Sequence, residues 1–293
     1  MLSKLFKNKP DYPWQPKYTY NVDGMFWRIV ISEGGYIVCE LRNPEKKTTW
    51  FDCIDEQTGE PLWQGLTLEE PWWIGIEDVT KDWLFLHGFQ KPDMPQHSSI
   101  VAVDIKTGKE VWRNNEVVFV AAREDKLYAS KEGFEARKFL LLNPGDGSII
   151  KELGTDPAEV NDLREALNQE RAFAGYRYPE GFSKAHPDYG RLKELVAEIA
   201  PQEKVFGNLD TLVVDDAVLL AWHQAADGSS AEQPLLDQHF AAIEIASKSV
   251  LYRDIIHSKV QAPSFDSFFV KGNRVMYIKE HHILTTHELP VRG

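Results

Sequence analysis

Short runs of alternating apolar and polar residues recur along most of the chain, and turns rich in glycine and polar residues separate them. Residues 99–104 (SIVAVD) show the period of two that is typical of a half-buried strand. Residues 105–108 then predict a tight turn in which Gly108 adopts positive φ, and a second strand follows and ends at Trp112. This stretch therefore predicts a β-hairpin, which needs a neighbour to bury its apolar face.

The same hairpin pattern occurs four times without a gap inside it. The windows are AVDIKTGKEVW at 102–112, CIDEQTGEPLW at 53–63, AIEIASKSVLY at 242–252 and the more divergent LLNPGDGSIIK at 141–151. Gly59 and Gly108 are 49 positions apart, and Gly108 and Gly147 are 39 apart, which suits four-stranded propeller blades of roughly 40–50 residues. We assign structural roles in the repeat to Asp55, Gly59, Trp63, Asp104, Gly108, Trp112, Glu244 and Tyr252.

The window at 102–112 resembles the tryptophan-docking repeat of quinoprotein-type propellers, whose pattern is Ala-x-Asp-x-x-Thr-Gly-Lys-x-x-Trp. The window at 53–63 departs from this pattern at Cys53 and Glu60, and the other two are degenerate. The whole chain also resembles uncharacterised bacterial propeller-like proteins of a domain-of-unknown-function family, which implies a fold but no activity. In quinoproteins this motif docks each tryptophan between blades and does not bind the quinone, so the resemblance implies no cofactor.

These patterns predict an all-β fold, with residues 1–293 as a single β-propeller domain of five four-stranded blades. A strand at 17–22 is expected to complete the last blade and close the ring, because closure removes exposed sheet edges. Six blades remain an alternative if the middle of the chain contains degenerate strands. The predicted strands are 26–32, 36–41, 48–55 and 61–66; 73–78, 83–88, 99–104 and 110–114; 117–122, 126–130, 138–143 and 148–152; 211–214, 217–223, 239–245 and 250–255; and 267–270, 274–280 and 282–286.

Residues 155–205 break the pattern and predict a helical insertion between blades three and four. Asp156 and Pro157 form a helix start, and a second helix is expected over 191–199 and ends before Pro201. The insertion is either an appendage that covers a sheet or a lid or partner-binding arm.

Composition narrows the possible partners and the compartment. The formal net charge of -12 disfavours nucleic acid, although Lys4, Lys7, Lys9 and Lys17 lie close together near the N-terminus. Cys39 and Cys53 are expected to be buried reduced thiols. With neither a secretory signal nor an apolar run of membrane-spanning length in the sequence, we expect a cytoplasmic protein.

The sequence contains no recognised nucleophile, phosphate-binding or zinc-protease motif. Residues 143–147 resemble a calcium loop but lack the distal glutamate, and their register makes them a hairpin turn. His281 and His282 point to opposite faces of a strand, so they and His287 do not form a convincing metal site. We therefore expect neither a metal nor a cofactor.

Candidate binding residues lie near the ends of the predicted innermost strands and in the insertion. The acidic residues at the strand ends either act as an acid–base pair or cap the backbone amides of turns. The aromatic residues of the insertion either line a pocket or lie in an exposed loop. The candidates are Trp27, Arg28, Trp73, Glu77, Asp78 and Arg123, together with Glu124 and Asp125, and Tyr176, Tyr178 and His186 in the insertion.

Two functions remain after these considerations. The first is a non-enzymatic binding or scaffold protein that holds a protein partner through the propeller face or the helical insertion. The alternative is a carbohydrate-active hydrolase that uses carboxylates in a central channel. The regular structural repeat and the lack of a recognised catalytic motif in the sequence favour the binding or scaffold protein.

Overall fold

The computed structural model describes residues 12–91, 94–123, 125–172, 174–230, 234–264 and 266–289, and within them the chain is mainly antiparallel β-structure. The strands are β1 (Tyr18–Asn21), β2 (Met25–Ile31), β3 (Tyr36–Asn43), β4 (Thr48–Asp55), β5 (Pro61–Leu66), β6 (Ile74–Val79), β7 (Trp83–Lys91), β8 (Met94–Asp104), β9 (Lys109–Asn114), β10 (Val118–Arg123), β11 (Lys126–Lys131), β12 (Lys138–Leu142), β13 (Ile149–Gly154), β14 (Tyr176–Arg177), β15 (Glu180–Gly181), β16 (Phe206–Val214), β17 (Ala217–Ala225), β18 (Leu236–Glu244), β19 (Val250–Val260), β20 (Phe269–Lys271), β21 (Arg274–Lys279) and β22 (Ile283–Glu288). The helices are α1 (Ala158–Ala172) and α2 (Tyr189–Ile199), and a short 3-10 turn follows at Gln202–Lys204.

One compact unit comprises Val22–Ala174 and contains three four-stranded sheets in meander order, β2–β5, β6–β9 and β10–β13. Consecutive strands pair because tight turns join them, which makes each sheet a local, sequential element. The predicted all-β class with four-stranded antiparallel sheets is therefore confirmed.

Apolar side chains of neighbouring sheets in this unit pack together. One cluster joins Val38 and Phe51 of the first sheet to Ile76 and Leu86 of the second. Another joins Phe85 of the second sheet to Leu127 of the third. Each sheet thus buries its apolar face against the next, as the isolated hairpin requires.

The indole of Trp63 lies on the turn of the following sheet. Its Nε1 donates a hydrogen bond to the carbonyl of Ile105 at 2.7 Å. A Cβ placed on Gly108 would stand only 2.7 Å from Cδ2 of that indole. Gly108 also has a φ of 66°, so glycine suits both the turn and the close approach of the ring.

Trp112 makes the same contact with the third sheet. Its Nε1 donates to the carbonyl of Pro144 at 2.7 Å, and a Cβ on Gly147 would stand 2.8 Å from Cε3 of its ring. The φ of Gly147 is 71°. Two successive tryptophans therefore rest on two successive positive-φ glycines.

The acidic residue of each of these windows holds the turn together. Oδ1 of Asp55 accepts hydrogen bonds from the amide and hydroxyl of Thr58 at 2.8 and 2.9 Å. Oδ1 of Asp104 accepts the equivalent two bonds from Thr107, both at 2.8 Å. The backbone N–H of Gly59 donates to the carbonyl of Asp55 at 2.9 Å, which closes the turn.

The window at 242–252 keeps this register with different side chains. Lys248 occupies the glycine position and has a φ of 59°, and the carboxylate of Glu244 accepts a hydrogen bond from the Ser247 hydroxyl. Tyr252 occupies the tryptophan position, and its ring centroid lies 6.2 Å from that of Trp14. The unusual backbone conformation is thus retained although the residue types have changed.

The other compact unit comprises Met1–Asn21 and Gly175–Gly293 and contains two five-stranded sheets. In one sheet the strand order is β1-β22-β21-β20-β14, and Tyr18 pairs with Thr286. In the other the order is β15-β16-β17-β18-β19. A strand near the N-terminus therefore pairs with the last described strand.

Two short strands in the predicted insertion were missed by the sequence analysis. β14 extends the sheet of β20, and β15 extends the sheet of β16. Each is only two residues long, so it leaves no readable alternation in the sequence. The segment therefore completes two sheets as well as forming helices.

The two helices of the insertion cover sheet surfaces. Leu192 and Leu195 of α2 pack with Val218 and Leu220 of β17. α1 contacts β10, and its Val160 is buried. Neither helix has the length and apolar character needed to cross a membrane, and this holds for all helices in the described part of the chain.

Both cysteines are buried free thiols in the first sheet. Burial raises the pKa of Cys53 to about 12 and also raises the pKa of Cys39, with the charge of Asp52 adding to both shifts. Since thiolates are the reactive form, these two side chains act as small apolar residues.

His287 lies fully buried among aromatic rings in the sheet that contains β1. Its ring centroid is 4.4 Å from those of both Trp14 and Tyr252. Burial lowers the pKa of His287 to about 4, although the charge of Asp254 acts in the opposite direction. The folded protein therefore keeps this imidazole neutral at pH values where the unfolded chain protonates it.

Gly108→Ala tests the docking of Trp63. We expect it to lower the free energy of unfolding by about 2–4 kcal/mol, since the added Cβ combines left-handed backbone strain with the displacement of an indole. Gly35→Ala is the matched control, because Gly35 has a φ of 79° and no atom lies within 4 Å of an added Cβ. In urea denaturation, the free energy of unfolding of the control should fall by only about 1 kcal/mol. If it fell equally for both variants, tight docking of Trp63 on Gly108 would be contradicted.

His287→Phe tests the buried imidazole. A His whose folded pKa is about 4, against about 6.5 unfolded, makes stability fall as pH drops from 6.5 towards 4, by about 2 kcal/mol between pH 7 and 5. Between pH 7 and pH 5, the free energy of unfolding of the phenylalanine variant should fall by about 2 kcal/mol less than that of the wild type. Denaturant titrations at both pH values measure this difference. His282→Phe, at an exposed histidine, should keep the pH dependence of the wild type; a His287→Phe variant with an unchanged pH dependence would contradict the assignment.

Candidate functional site

A cluster of two histidines and one glutamate lies where the second sheet departs from regular pairing. The β6–β7 register shifts between Ile76 and Asp78, which leaves Glu77 at a bulge. The β7–β8 register shifts between Leu86 and Gly88, which places His87 at a second irregularity. Bulges redirect side chains and are frequent near functional sites.

His97 of β8 completes the cluster, because it pairs with Phe89 two residues beyond His87 on β7. Residues two apart on a strand share a face, so the rings of His87 and Phe89 and the cross-strand ring of His97 come together. Ser99 on the bulged side of β8 has a φ of 59°, which is costly for a residue other than glycine.

Both imidazoles approach one oxygen of Glu77. Nδ1 of His97 lies 2.7 Å from Oε2, and Nδ1 of His87 lies 2.9 Å from the same atom. The two rings are stacked, with centroids 3.6 Å apart and an angle of 7° between their planes. The three possible ligand atoms all lie within 4.8 Å of one another.

Burial differs across the cluster. The side chain of His87 is 8% exposed, that of Glu77 is 18% exposed and that of His97 is 37% exposed. Burial alone would raise the pKa of Glu77, but the contacts and charges of His87 and His97 outweigh it and hold that pKa below its usual value. Glu77 is therefore an ionised carboxylate that solvent reaches from the side of His97.

A buried ion pair lies beside β6. The guanidinium of Arg42 donates from Nε to Oε1 of Glu40 at 2.8 Å and from Nη2 to the carbonyl of Ile74 at 2.9 Å. Oε2 of Glu40 accepts the backbone N–H of Ile76 at 2.9 Å. Gly75 lies beside both this pair and His87, since an added Cβ would stand 3.2 Å from both Oε2 of Glu40 and Nε2 of His87.

Tryptophans surround the guanidinium of Arg42. Its Cζ lies 4.8 Å from the ring centroid of Trp27 and 5.0 Å from that of Trp72. Trp27 is nevertheless 59% exposed and Trp73 is 37% exposed. Trp27 therefore faces solvent beside a fixed cation, and Trp73 lies next to Trp72, with 6.5 Å between the two ring centroids.

The structure brings some of the residues predicted from sequence to this region. Arg28 donates to the carbonyl of Ile76 at 2.6 Å, so β2 reaches the bulge of β6. Asp78, in contrast, is buried, and its Oδ1 lies within hydrogen-bond distance of the N–H of Val79. Of the two acidic neighbours on β6, only Glu77 is thus available to a ligand.

The remaining predicted residues lie elsewhere. Arg123 is exposed and pairs with Glu170 of α1 at 3.2 Å, and Asp125 is exposed, whereas Glu124 lies outside the described residues. Tyr176 and Tyr178 belong to the other compact unit. Their rings are nearly parallel at 6.1 Å, and Tyr178 is 63% exposed.

Sequence analysis missed His87 and His97, as well as Glu40 and Arg42. The two histidines are ten positions apart and flank the turn between β7 and β8, so no short motif links them. A usable signal existed for His87, which lies in a predicted strand next to the one that carries Glu77, whereas His97 precedes the predicted strand at 99–104.

Comparisons with known structures give similarity at low identity. An uncharacterized protein from Listeria monocytogenes EGD-e aligns over 94% of this chain and 99% of its own, with 10% identity and a TM-score of 0.34. A europium-containing methanol dehydrogenase aligns over 91% of this chain and 51% of its own, with 10% identity and a TM-score of 0.28. The β-propeller domain of the Trilobed protease from Pyrococcus furiosus aligns over 95% of this chain and 66% of its own, with 11% identity and a TM-score of 0.29. The chain thus spans about half the length of the dehydrogenase, and TM-scores this low carry no argument about its activity.

No curated protein sequence matches the chain. A family described as Domain of unknown function (DUF4905) matches residues 30–112, a segment that includes Glu77, His87 and His97. The match covers less than a third of the chain.

Proposed function

We propose that the protein is a non-enzymatic binding protein and that the exposed indoles of Trp27 and Trp73 form the centre of the surface that holds a protein partner. The observation that carries this proposal is the 59% exposure of Trp27 beside a cation that other residues hold in place. Tryptophan and arginine are the residue types most enriched at the energetic centres of protein interfaces.

The support beneath Trp27 is rigid. Arg42 and Glu40 have side chains only 8% and 3% exposed and form an ion pair with bonds to two backbone groups. A guanidinium fixed in this way holds the stacked indole in one orientation, so little side-chain entropy is lost when a partner binds.

The segment that carries Trp73 is held as well. The carboxylate of Glu70 accepts the backbone N–H of Trp72 at 3.0 Å and that of Trp73 at 2.9 Å. The ring of Trp73 also meets that of Phe89 edge-on, with 5.9 Å between centroids. Both exposed indoles are therefore presented by an ordered framework, which is the arrangement expected of a preformed binding surface.

The carboxylates of this region do not support the hydrolase alternative. A glycosidase needs a general acid whose pKa is raised, whereas the pKa of Glu77 is lowered. Glu40 is committed to Arg42 and a backbone N–H, and Asp78 is buried. We therefore favour binding over catalysis by these carboxylates.

We also assign the partner surface to the tryptophans and not to the helical insertion. The apolar side chains of α2 are already covered by the sheet of β17, which leaves no apolar face for another protein. For the fold, we propose that the five sheets are the blades of one β-propeller that the pairing of β1 with β22 closes; the meander order within the sheets supports this arrangement.

The double variant Trp27→Ala/Trp73→Ala tests the surface. A protein captured by the immobilised wild-type chain should be depleted at least about tenfold on the variant, since truncation of central interface tryptophans costs about 2 kcal/mol or more. The purified partner should show the same loss by calorimetry.

Phe134→Ala serves as the matched control, because this aromatic side chain is fully exposed. It should retain the same captured protein as the wild type. Identical capture by all three chains, or loss with Phe134→Ala alone, would contradict the proposed surface; circular dichroism checks that each variant is folded.

A further inference from the structure

We propose that Glu77, His87 and His97 form a binding site for one divalent transition-metal ion of the zinc type, held by two imidazole nitrogens and one carboxylate oxygen. This site adjoins the proposed partner surface, because the ring of Phe89 meets those of Trp73, His87 and His97, but the proposal does not depend on that surface. No metal was expected from the sequence, where the candidates were the histidines at 281, 282 and 287 and the loop at 143–147.

The ligand types fit such an ion. Imidazole and carboxylate together suit Zn²⁺ and related first-row cations, and two histidines with one acidic residue are a known three-ligand set for zinc that leaves a further position open. Here the open position faces solvent on the side of His97, which is 37% exposed.

The ligand atoms lie close together, but the two rings are stacked with nearly parallel planes, so the in-plane lone pairs of their nitrogens do not converge. The partly exposed ring of His97 has to turn out of the stack before both nitrogens can bind one ion. In tetrahedral coordination at the usual bond lengths, neighbouring ligand atoms are about 3.3–3.4 Å apart. The two Nδ1–Oε2 distances are 2.7 and 2.9 Å, so the ligands need to separate by about half an ångström. Rotation of the flexible Glu77 side chain supplies a movement of that size without shifting a strand.

His87 provides a second, independent observation. Its Nδ1 is buried and makes no hydrogen bond of acceptable geometry to any described residue, although it lies 2.9 Å from Glu77. A buried polar atom without such a bond costs free energy. An ion between the three side chains would give this nitrogen a ligand bond directed into the site.

Neighbouring residues confine the buried ring of His87. Phe89 meets the ring of His87 edge-on at 5.1 Å and that of His97 at 5.5 Å. A Cβ on Gly75 would stand 3.2 Å from Nε2 of His87, so glycine leaves room for this ring. The formal net charge of -12 favours the approach of a cation.

Isothermal titration of the full chain with Zn²⁺, after removal of bound metal with a chelator, tests the site. We expect one ion per chain for the wild type. His97→Ala should weaken binding by about 100-fold or more and Glu77→Gln by about tenfold or more, since loss of even an outer-shell partner costs 10–100-fold in affinity. His97 is the first choice because its exposure makes the alanine variant compatible with folding.

His282→Ala is the matched control at an exposed histidine outside the cluster, and its affinity should equal that of the wild type. Co²⁺ provides a second readout: its ligand-field absorption should appear with the wild type and disappear with His97→Ala. The proposal is overturned if the wild type binds no stoichiometric Zn²⁺, if His97→Ala and Glu77→Gln bind as the wild type does, or if His282→Ala weakens binding as much as His97→Ala.

Discussion

The close contact between a tryptophan of one sheet and a positive-φ glycine of the next is the constraint on which the Val22–Ala174 unit depends. The indoles of Trp63 and Trp112 each approach the following turn to a distance that only a residue without a Cβ allows. Each indole N–H also donates a hydrogen bond to a carbonyl of that turn, so no donor of the packed ring is left unsatisfied. Consecutive sheets are thereby linked through both an apolar contact and a directed hydrogen bond.

Irregular pairing occurs both at the docking tryptophans and at the candidate site. Trp63 and Trp112 lie beside register shifts in the ladders of β4–β5 and β8–β9, and Glu77 and His87 lie at shifts in those of β6–β7 and β7–β8. A bulge sacrifices ladder hydrogen bonds and is retained where the redirected side chain is useful. The three polar side chains converge because two neighbouring irregularities turn them towards one face, next to a strand with Gly75 that gives the His87 ring room.

The sequence predicted much of the fold, for a clear physical reason. Alternation and turn residues act over four to eleven positions, so they located the strands, the hairpins at 53–63 and 102–112, and the starts of both helices. The pairing of a strand at 17–22 with the last strand followed from the need to cover an edge, and β1 does pair with β22. In contrast, β14 and β15 depend on partners about 30 or more residues away and carry no local signal.

The candidate site was predicted only in part. Trp27, Arg28, Trp73 and Glu77, which were named because they lie near predicted strand ends, lie in or beside the candidate site, whereas Asp78 is buried and Arg123 forms an ion pair with α1. His87 and His97 were missed because their convergence depends on cross-strand register, and a register shift of one residue sends a side chain to the opposite face. In the sequence, Glu40 and Arg42 look like ordinary charged residues of a strand, so their burial as an ion pair was not predicted.

The most direct measurement is a crystal structure of the full chain grown with Zn²⁺, with data collected on both sides of the zinc absorption edge. The account predicts one strong anomalous peak within bonding distance of Nδ1 of His87, Nδ1 of His97 and a carboxylate oxygen of Glu77. It also predicts that Trp63 and Trp112 remain on Gly108 and Gly147. A map without a peak between these three side chains, in which Glu77 keeps its direct contacts with both imidazoles, would contradict the account.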